Sequence, residues 1–509
     1  MCSFENRGSR FEGSCCGHNW TRRQFIAGSA GLAAAAGSGS LVQSQASGAK
    51  GQAIVSRIPL KVLPVFIFRP YEKKEATSWR WSGAFFSEGD AELERQRIRQ
   101  ELDRMEAGSA FPVRFAPLQT AGTKDQAAAL ADGDHDVVLI YGAQREPEVI
   151  EALMRPAKSA LMFVRHHSGP FYYMYIGVHG HFLRQRTDTV RQSGFGLTDV
   201  VVDKPDELIW RLRSLYALKN MRGKRIVTIG GSDGWGGHPE AVERARELWN
   251  FDIRDVSYTE LGGRIQRALQ DPRLLSACSE EAQQLLRQKR VTLETDRGFV
   301  ERAFLLLSVF RSLLGEAETD AITVNNCMST IMPISKTTAC LPLMLLNDTG
   351  YMAFCESDFV SIPAGILLRY VSDAPVFLCN PSFPHDGQVT VSHCTAPSRM
   401  DGTTALPIRL LTHYESDYGA APKVEIPKHQ VLTILDADFA GKRWLGFLGE
   451  VIDSPFYPIC RTQINIGIKG DFRRLAEEIR GWHWMVAFGD HLDKLGYALR
   501  KAGVDWLAV

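Results

Sequence analysis

The sequence predicts an α/β protein that ends in a β-rich region. Strand patterns alternate with helix patterns over residues 58–219, and the alternation begins again at residue 224 and continues to residue 324. From about residue 350, short strand patterns follow one another across Pro, Gly and Asn. The alternating pattern is typical of parallel sheets covered by helices, and the succession of short strands is typical of an antiparallel sheet or barrel. The expected fold is two successive Rossmann-like parallel α/β domains followed by a β-rich, antiparallel barrel-like C-terminal domain.

The first α/β domain is expected to span residues 47–220. Its strongest strand signal is IPLKVLPVFIF at residues 58–68, and its clearest helix is the charged segment 90–105. Further strands are expected near residues 111–115, 136–141 and 160–164, with helices near residues 125–131, 147–154 and 205–219.

The second α/β domain is expected to span residues 221–349. It begins with a strand at 224–229, a glycine-rich turn, a helix at 239–249 and a strand at 251–256, and its last clear strand is 321–324. The apolar helix at 303–310 is predicted to be core, because Arg302 and Arg311 interrupt the run.

The β-rich domain is expected to span residues 350–509. Its predicted strands share short apolar runs bounded by turn residues: AGILLRYV, APVFLCN, QVTVSHC, LPIRLLTHY, KVEIP, QVLTILDAD and ICRTQINIGI. Helices are predicted at 472–480 and 492–502.

The composition argues against several classes of partner. Hydrophobic content is 45% and charged content 23%, as in soluble globular proteins. Lys and Arg total 59 against 58 for Asp and Glu, a formal net charge of +1, which gives no general attraction to nucleic acid or anionic membrane. We expect no nucleic-acid partner, no membrane span, and a small neutral or weakly charged ligand.

Residues 1–46 are predicted to be a leader outside the folded domains. Thr21-Arg22-Arg23-Gln24-Phe25 precedes a weakly apolar Ala/Gly/Ser run at 27–42, which resembles a twin-arginine export signal. The alternative is a basic leader without a fold. The resemblance implies that the twin-arginine machinery exports the folded protein to the periplasm or another extracytoplasmic space. The seven cysteines after the leader are odd in number and lack a C-x-x-C pair, which favours buried free thiols.

Glu356 and Asp358 are the first candidate site residues. On a strand, residues two apart face the same side, so both carboxylates would point at one divalent cation. The alternative is a solvated strand end. His393 and His483 add imidazole ligands in the same third of the chain, and two acids with two histidines suit Mn²⁺ or a similar ion. The alternative for each histidine is a structural role without a bound metal.

Two tryptophans are candidate substrate contacts. The turn Gly230–Gly237 lacks the glycine spacing of a dinucleotide fingerprint and the lysine of a P-loop. Trp235 within it offers an apolar platform for a sugar ring, or is simply exposed by a tight turn. Trp482 precedes His483 in the run Gly481-Trp482-His483-Trp484.

Two α/β units are followed by a β-rich domain, which contains the runs Cys355-Glu356-Ser357-Asp358 and Gly481-Trp482-His483-Trp484. This pattern resembles the L-fucose/L-arabinose isomerase family. The resemblance implies interconversion of aldoses and ketoses through a cis-enediol, with a divalent metal, typically Mn²⁺. It implies that Asp358, Glu356 and His483 are metal ligands, with His393 a weaker match, and that the protein is a homo-oligomer acting on a free sugar.

The sequence departs from this family in one segment. The isomerases carry a further Glu before the Glu-x-Asp pair, whereas residues 321–347 contain no acid and Lys336 as their only charged residue. Three alternatives follow: Glu356 is both ligand and base, Lys336 takes part in proton transfer, or catalysis has been lost. The last would leave an exported, non-catalytic carbohydrate-binding protein on the isomerase scaffold.

Overall fold

The computed structural model describes residues 57–184, 195–235 and 240–509. The twin-arginine motif and the rest of the 1–46 leader lie outside the described residues, as does the end of the glycine-rich turn. The described chain has the predicted fold class: two parallel α/β sheets followed by an antiparallel barrel.

The first sheet is entirely parallel. Its six strands are β1 (Leu60–Ile67), β2 (Val113–Phe115), β3 (Gln119–Ala121), β4 (Val137–Tyr141), β5 (Ser159–Val164) and β6 (Val200–Val202). Their order is β2-β1-β4-β5-β6, and β3 pairs with the second half of β1. The central strand β4 is VVLIY and every residue of it is buried, as expected for a strand covered on both faces.

Helices cover this sheet. They are α1 (Glu88–Gly108), α2 (Lys124–Ala131), α3 (Pro147–Leu153), α4 (Tyr173–Val178) with the π-helical turn His179–Leu183, the 3₁₀ turn Leu197–Asp199, and α5 (Pro205–Met221). The long helix α1 begins at a capping box, in which the Ser87 side chain accepts from the backbone N–H of Asp90 and the Asp90 carboxylate accepts from that of Ser87. The charged helix that was predicted from residue 90 therefore begins just after the capping residue Ser87.

The second sheet is also parallel. Its strands are β7 (Arg225–Ile229), β8 (Asp252–Val256), β10 (Ala321–Val324) and β11 (Met352–Cys355), in the order β11-β10-β7-β8. The strand β11 lies after the predicted boundary at residue 349 and still pairs with β10. The domain boundaries themselves stay predictions.

The helices around the second sheet include the apolar helix predicted over residues 303–310. They are α6 (Glu240–Trp249), α7 (Tyr258–Leu269), α8 (Pro272–Leu286), α9 (Arg297–Glu316), the π-helical turn Cys327–Ile331, α10 (Met332–Ser335), α11 (Cys340–Asp348) and α12 (Ile362–Ser372). The apolar run of α9 is buried in the core, as predicted. Among the described residues, no helix is long and apolar enough to cross a membrane.

The C-terminal region contains a closed antiparallel barrel. Its six strands are β12 (Phe377–Pro381), β13 (Gln388–His393), β16 (Val431–Asp436), β17 (Arg443–Asp453), β18 (Thr462–Lys469) and β19 (Trp484–Phe488). They run β16-β19-β12-β13-β18-β17, and β17 pairs back with β16 to close the barrel. Closure leaves no free edge among these six strands.

Three further strands form a small sheet beside the barrel. They are β9 (Val291–Leu293), β14 (Ile408–His413) and β15 (Tyr418–Val424). β9 comes from the second α/β region and pairs in parallel with β14. The chain ends with α13 (Phe472–Glu478), α14 (Leu492–Ala502) and β20 (Asp505–Ala508), which pairs in parallel with β17.

Two details of the sequence prediction were wrong. The run AGILLRYV, expected as a strand, belongs to helix α12, which is buried from Ile362 to Val371. Burial on all sides removes the periodicity that separates helix from strand. Gly365 allows the close packing, because a Cβ there would lie 2.6 Å from a ring carbon of Phe354. The eleven-residue strand β17, the longest of the barrel, was not predicted.

A partly buried histidine in the C-terminal region, His491, gives a pH prediction. The Nε2–H of His491 donates to the carbonyl of Phe488, 2.9 Å away. Burial, with Lys494 and Arg213 nearby, lowers the pKa of His491 from 6.5 to about 4. The unfolded chain therefore binds a proton between these pH values that the folded chain does not, and stability falls as pH falls through this window.

We expect His491→Asn to flatten this dependence. From pH 7 to pH 5 the wild type should lose about 2 kcal/mol more unfolding free energy than the variant, which lacks the titrating ring. Urea unfolding at both pH values measures the difference. Parallel pH curves for the two proteins would contradict the assignment.

Candidate functional site

The candidate site lies where the second parallel sheet meets the barrel. Glu356 and Asp358 follow the carboxyl end of β11, His393 ends β13, and His483 immediately precedes β19. Trp235 lies in the loop after the carboxyl end of β7. The carboxyl ends of parallel strands are a common place for ligands, because the loops there converge on one edge of the sheet. We call Glu356, Asp358, His393 and His483 the carboxylate–imidazole cluster.

The structure corrects the geometry expected for the two acids. β11 ends at Cys355, and both Glu356 (φ 65°) and Ser357 (φ 46°) have left-handed backbone conformations. Such conformations are unfavourable for residues with a Cβ and persist where surrounding contacts hold them. Here Ser357 N–H donates to Thr323 Oγ1 at 3.1 Å, and the Ser357 carbonyl accepts from the N–H of Asp233 at 3.2 Å. The acids therefore lie in a fixed turn and not on one face of a strand.

Asp358 is fully buried and uses both of its oxygens. Oδ1 accepts from the backbone N–H of Val360 at 3.0 Å, and Oδ2 accepts from the Ser361 hydroxyl at 2.9 Å. Oδ2 also accepts from Nδ1–H of His483 at 2.8 Å. A carboxylate on Nδ1 fixes the orientation of an imidazole and leaves Nε2 to face a ligand. Asp358 is therefore placed to orient His483.

Glu356 contacts both histidines. Its Oε2 lies 2.9 Å from Nε2 of His483, and its Oε1 lies 3.6 Å from Nε2 of His393. The indole N–H of Trp235 donates to the same carboxylate. The predicted residues Glu356, Asp358, His393 and His483 are thus brought together, although they are separated by up to 127 positions in the sequence.

The electrostatics of the cluster follow from these contacts. Burial alone would raise the pKa of Glu356, but the neighbouring imidazoles of His393 and His483 outweigh it and hold the pKa well below its usual range. Burial would lower the pKa of His483, but Asp358 and Glu356 raise it to about 9. Glu356 is therefore ionised at neutral pH, and a positive charge is favoured beside it.

His393 presents a nitrogen suited to an additional ligand. Its ring is 4% exposed, Nδ1 lies 3.1 Å from the Thr395 hydroxyl, and Nε2 has no hydrogen-bond partner within the described residues. Cys355 Sγ, a Glu356 oxygen and a His393 nitrogen all lie within 4.8 Å of one another. A buried nitrogen without a partner beside a carboxylate and a thiol is the chemistry that a divalent cation satisfies. The residues present therefore fit a metal ion.

Aromatic side chains border the cluster. Trp235 is 44% exposed and Trp482 is 63% exposed, and their ring centroids lie 5.5 Å apart at 33°. The ring of Trp235 also lies 5.9 Å from that of His483. Two exposed indoles next to a buried polar cluster provide an apolar wall with polar groups at its base, the usual composition of a small-molecule site.

No family model matches the chain. Comparison with curated proteins likewise finds no match. The resemblance to L-fucose/L-arabinose isomerases therefore stays a prediction, and the geometry of the cluster carries the functional argument.

The structure places the remaining candidate differently. Lys336 is exposed at the end of α10 with a left-handed backbone (φ 59°), and no contact within the described residues joins its side chain to the cluster. Two supporting residues were missed by sequence reasoning. Cys355 was the sequence neighbour of Glu356 and thus within reach of prediction. Asp436 could not be predicted, because it lies on β16, remote in sequence from the site. Its carboxylate accepts hydrogen bonds from the backbone N–H groups of Arg480 (2.9 Å) and Gly481 (3.0 Å), in the segment just before His483.

Asp358→Asn tests the orienting role. The new amide can donate to Nδ1 of His483, which would move the imidazole proton to Nε2 and remove the metal-facing lone pair. We expect the affinity for divalent metal to fall by about 10- to 100-fold while the fold is retained. Isothermal titration with Mn²⁺ and circular dichroism measure the two effects.

Asp233→Asn is the matched control. Asp233 is the neighbouring carboxylate, and its Oδ1 accepts from the N–H of Gly234 without touching either imidazole. Its substitution should leave metal affinity unchanged. Equal losses in the two variants would contradict an orienting role specific to Asp358.

Proposed function

We propose that the protein is a sugar isomerase-like enzyme that interconverts an aldose and a ketose through a cis-enediol, using a divalent metal ion. The observation that carries the proposal is the contact of one ionised carboxylate, Glu356, with the Nε2 atoms of both His393 and His483. Such a group of acid and imidazole donors can both hold a cation and move a proton.

Glu356, His393 and His483 would hold the ion, with Asp358 fixing the ring of His483. Mn²⁺ is the ion that the family resemblance implies. A bound divalent ion would polarise the carbonyl and the adjacent hydroxyl of the sugar, and this would acidify the proton on the carbon that carries the hydroxyl.

The side chains of the site divide the remaining work. Glu356 has two oxygens on different histidines, so one could face the ion while the other accepts the proton from C2 and returns it to C1, as the hydroxyl proton passes from O2 to O1. The exposed indoles of Trp235 and Trp482 would stack against the apolar face of the sugar and limit water. Lys336 stays a candidate for proton transfer without a contact that supports it.

A non-catalytic role is the second candidate, and one observation favours it. Within the described residues, the carboxylates that contact the two imidazoles are Glu356 and Asp358, and both oxygens of Asp358 are engaged. Glu356 would therefore have to serve as ligand and base together. An exported carbohydrate-binding protein needs only the first of these roles. Export by the twin-arginine route, a periplasmic location and homo-oligomerisation remain part of either proposal.

Hydrogen exchange separates the two candidates. Metal-loaded protein is incubated with a panel of aldoses in deuterated water, and NMR follows deuterium at C1 and C2. Tryptophan fluorescence reports binding, since Trp235 and Trp482 border the site. Exchange supports the isomerase, and binding without exchange supports the binding protein. Neither binding nor exchange across the panel would overturn both.

A further inference from the structure

We propose that the thiolate of Cys355 is a further ligand of the ion, so that the site prefers thiophilic divalent ions such as Zn²⁺ and Co²⁺ to Mn²⁺. The inference deepens the proposed function, since it rests on a metal at the cluster. It changes the ion expected there and adds a residue that the isomerase resemblance does not assign.

The distances favour this set of donors. Cys355 Sγ, a Glu356 oxygen and a His393 nitrogen lie within 4.8 Å of one another. Around a tetrahedral Zn²⁺, with bonds of about 2.0 to 2.3 Å, neighbouring donor atoms lie about 3.3 to 3.6 Å apart. Side-chain rotations that move these donor atoms by about 1 Å would therefore bring all three within bonding distance of one ion.

The fold holds these donors in place. Cys355 is the last residue of β11 and pairs in register with Val324 of β10, so its backbone is fixed by the sheet. Glu356 follows it directly in the left-handed turn. His393 ends β13, its ring is more than nine-tenths buried, and its Nε2 has no hydrogen-bond partner within the described residues. The ends of β11 and β13 thus present sulfur, oxygen and nitrogen to one point.

Cys355 differs from a cysteine that merely fills the core. Cys379, on β12, is also buried, and its Sγ–H donates to the carbonyl of Trp484 at 3.5 Å. Cys355 instead lies beside the Glu356 carboxylate, with Cys327 and Cys394 also near. Thiolate ligands select Zn²⁺ and related ions over Mn²⁺.

Cobalt substitution tests the inference. Full-length protein is titrated with Co²⁺, and intense near-ultraviolet absorption from thiolate-to-cobalt charge transfer is expected. The absorption should be absent in Cys355→Ala and retained in the matched control Cys379→Ala. The affinity for Zn²⁺ relative to Mn²⁺ should fall by at least about tenfold in Cys355→Ala. X-ray absorption of Zn²⁺-loaded wild type should show a sulfur neighbour at about 2.3 Å, and this measurement does not depend on a variant folding.

The outcomes distinguish this inference from the proposed function. Binding of Co²⁺ and Zn²⁺ through nitrogen and oxygen alone would overturn the role of Cys355 and leave the isomerase proposal standing. Charge-transfer absorption that persists in Cys355→Ala and vanishes in Cys394→Ala would also overturn it. Failure of the wild type to bind Mn²⁺, Co²⁺ or Zn²⁺ would overturn the metal site itself, and the proposed function with it.

Discussion

Replacing Glu356 with Gln is expected to abolish metal binding at the cluster and deuterium exchange into sugars. Glu356 is the one side chain that contacts both His393 and His483 in the described structure, and its negative charge is held by them. The amide has a similar shape but carries no charge and presents N–H groups to one of the imidazoles. Losing an outer-shell partner lowers metal affinity by 10- to 100-fold, so losing this ligand should lower it by more than about 100-fold.

Isothermal titration with Mn²⁺ and Zn²⁺, together with the exchange assay, measures the effect of this change. Glu450→Gln is the control, because Glu450 also contacts a histidine, with Oε1 3.0 Å from Nδ1 of His429, but lies on the outside of β17. That variant should bind metal as the wild type does. A Glu356→Gln protein that retains wild-type affinity would remove the basis of the metal proposal.

Arg165→Met is expected to cause the largest loss of stability. Arg165 follows β5 and is buried, with Nε 2.6 Å from Glu94 and a terminal nitrogen 2.7 Å from Glu101, both on α1. The Tyr172 hydroxyl donates to the same Glu94 carboxylate at 2.7 Å. Removing the guanidinium would leave the buried Glu94 carboxylate with only the more distant Arg97, 3.6 Å away, and breaking a buried ion pair in this way typically lowers the free energy of unfolding by about 3 to 5 kcal/mol.

Urea unfolding, followed by circular dichroism, measures this loss. Arg114→Met is the matched control, since Arg114 pairs with Glu106 at 2.9 Å at the surface, where such pairs contribute about 0 to 1 kcal/mol. Adding Glu94→Gln to Arg165→Met should restore part of the stability, because it removes one of the stranded charges. Similar losses for Arg165→Met and Arg114→Met would show that burial does not set the energetics of this pair.

The elements predicted best were those in which burial and periodicity agree. β4 lies at residues 137–141 and α14 at 492–502, close to or at the predicted limits, because the first is uniformly apolar and the second amphipathic. β17 was missed because Gly446 and Gly449 interrupt RWLGFLGEVID, and glycine weakens a strand signal. Its place in the barrel is set by pairing with β16 and β18. The register of that pairing cannot be read from the sequence of β17 alone.

The sequence predicted four side chains of the candidate site, but neither their geometry nor the part played by Cys355. Glu356, Asp358, His393 and His483 do converge, since acids and histidines in apolar surroundings need partners. The division of roles between the acids was not readable, because it depends on the left-handed turn at Glu356 and Ser357. That conformation is held by Thr323 and Asp233, which lie on other strands and loops, and such distant contacts leave no local signature.

The pairing of β9 with β14 has a consequence for how the protein acquires its chemistry. A strand at residues 291–293 completes a sheet whose other members begin at residue 408, and the histidine at 393 faces an acid at 356. A nascent chain released only to residue 392 would therefore expose the unpaired edge of β9 and would still lack His393 and His483. An ion at the proposed site would therefore be bound only after almost the whole polypeptide had left the ribosome, in the compartment where folding finishes.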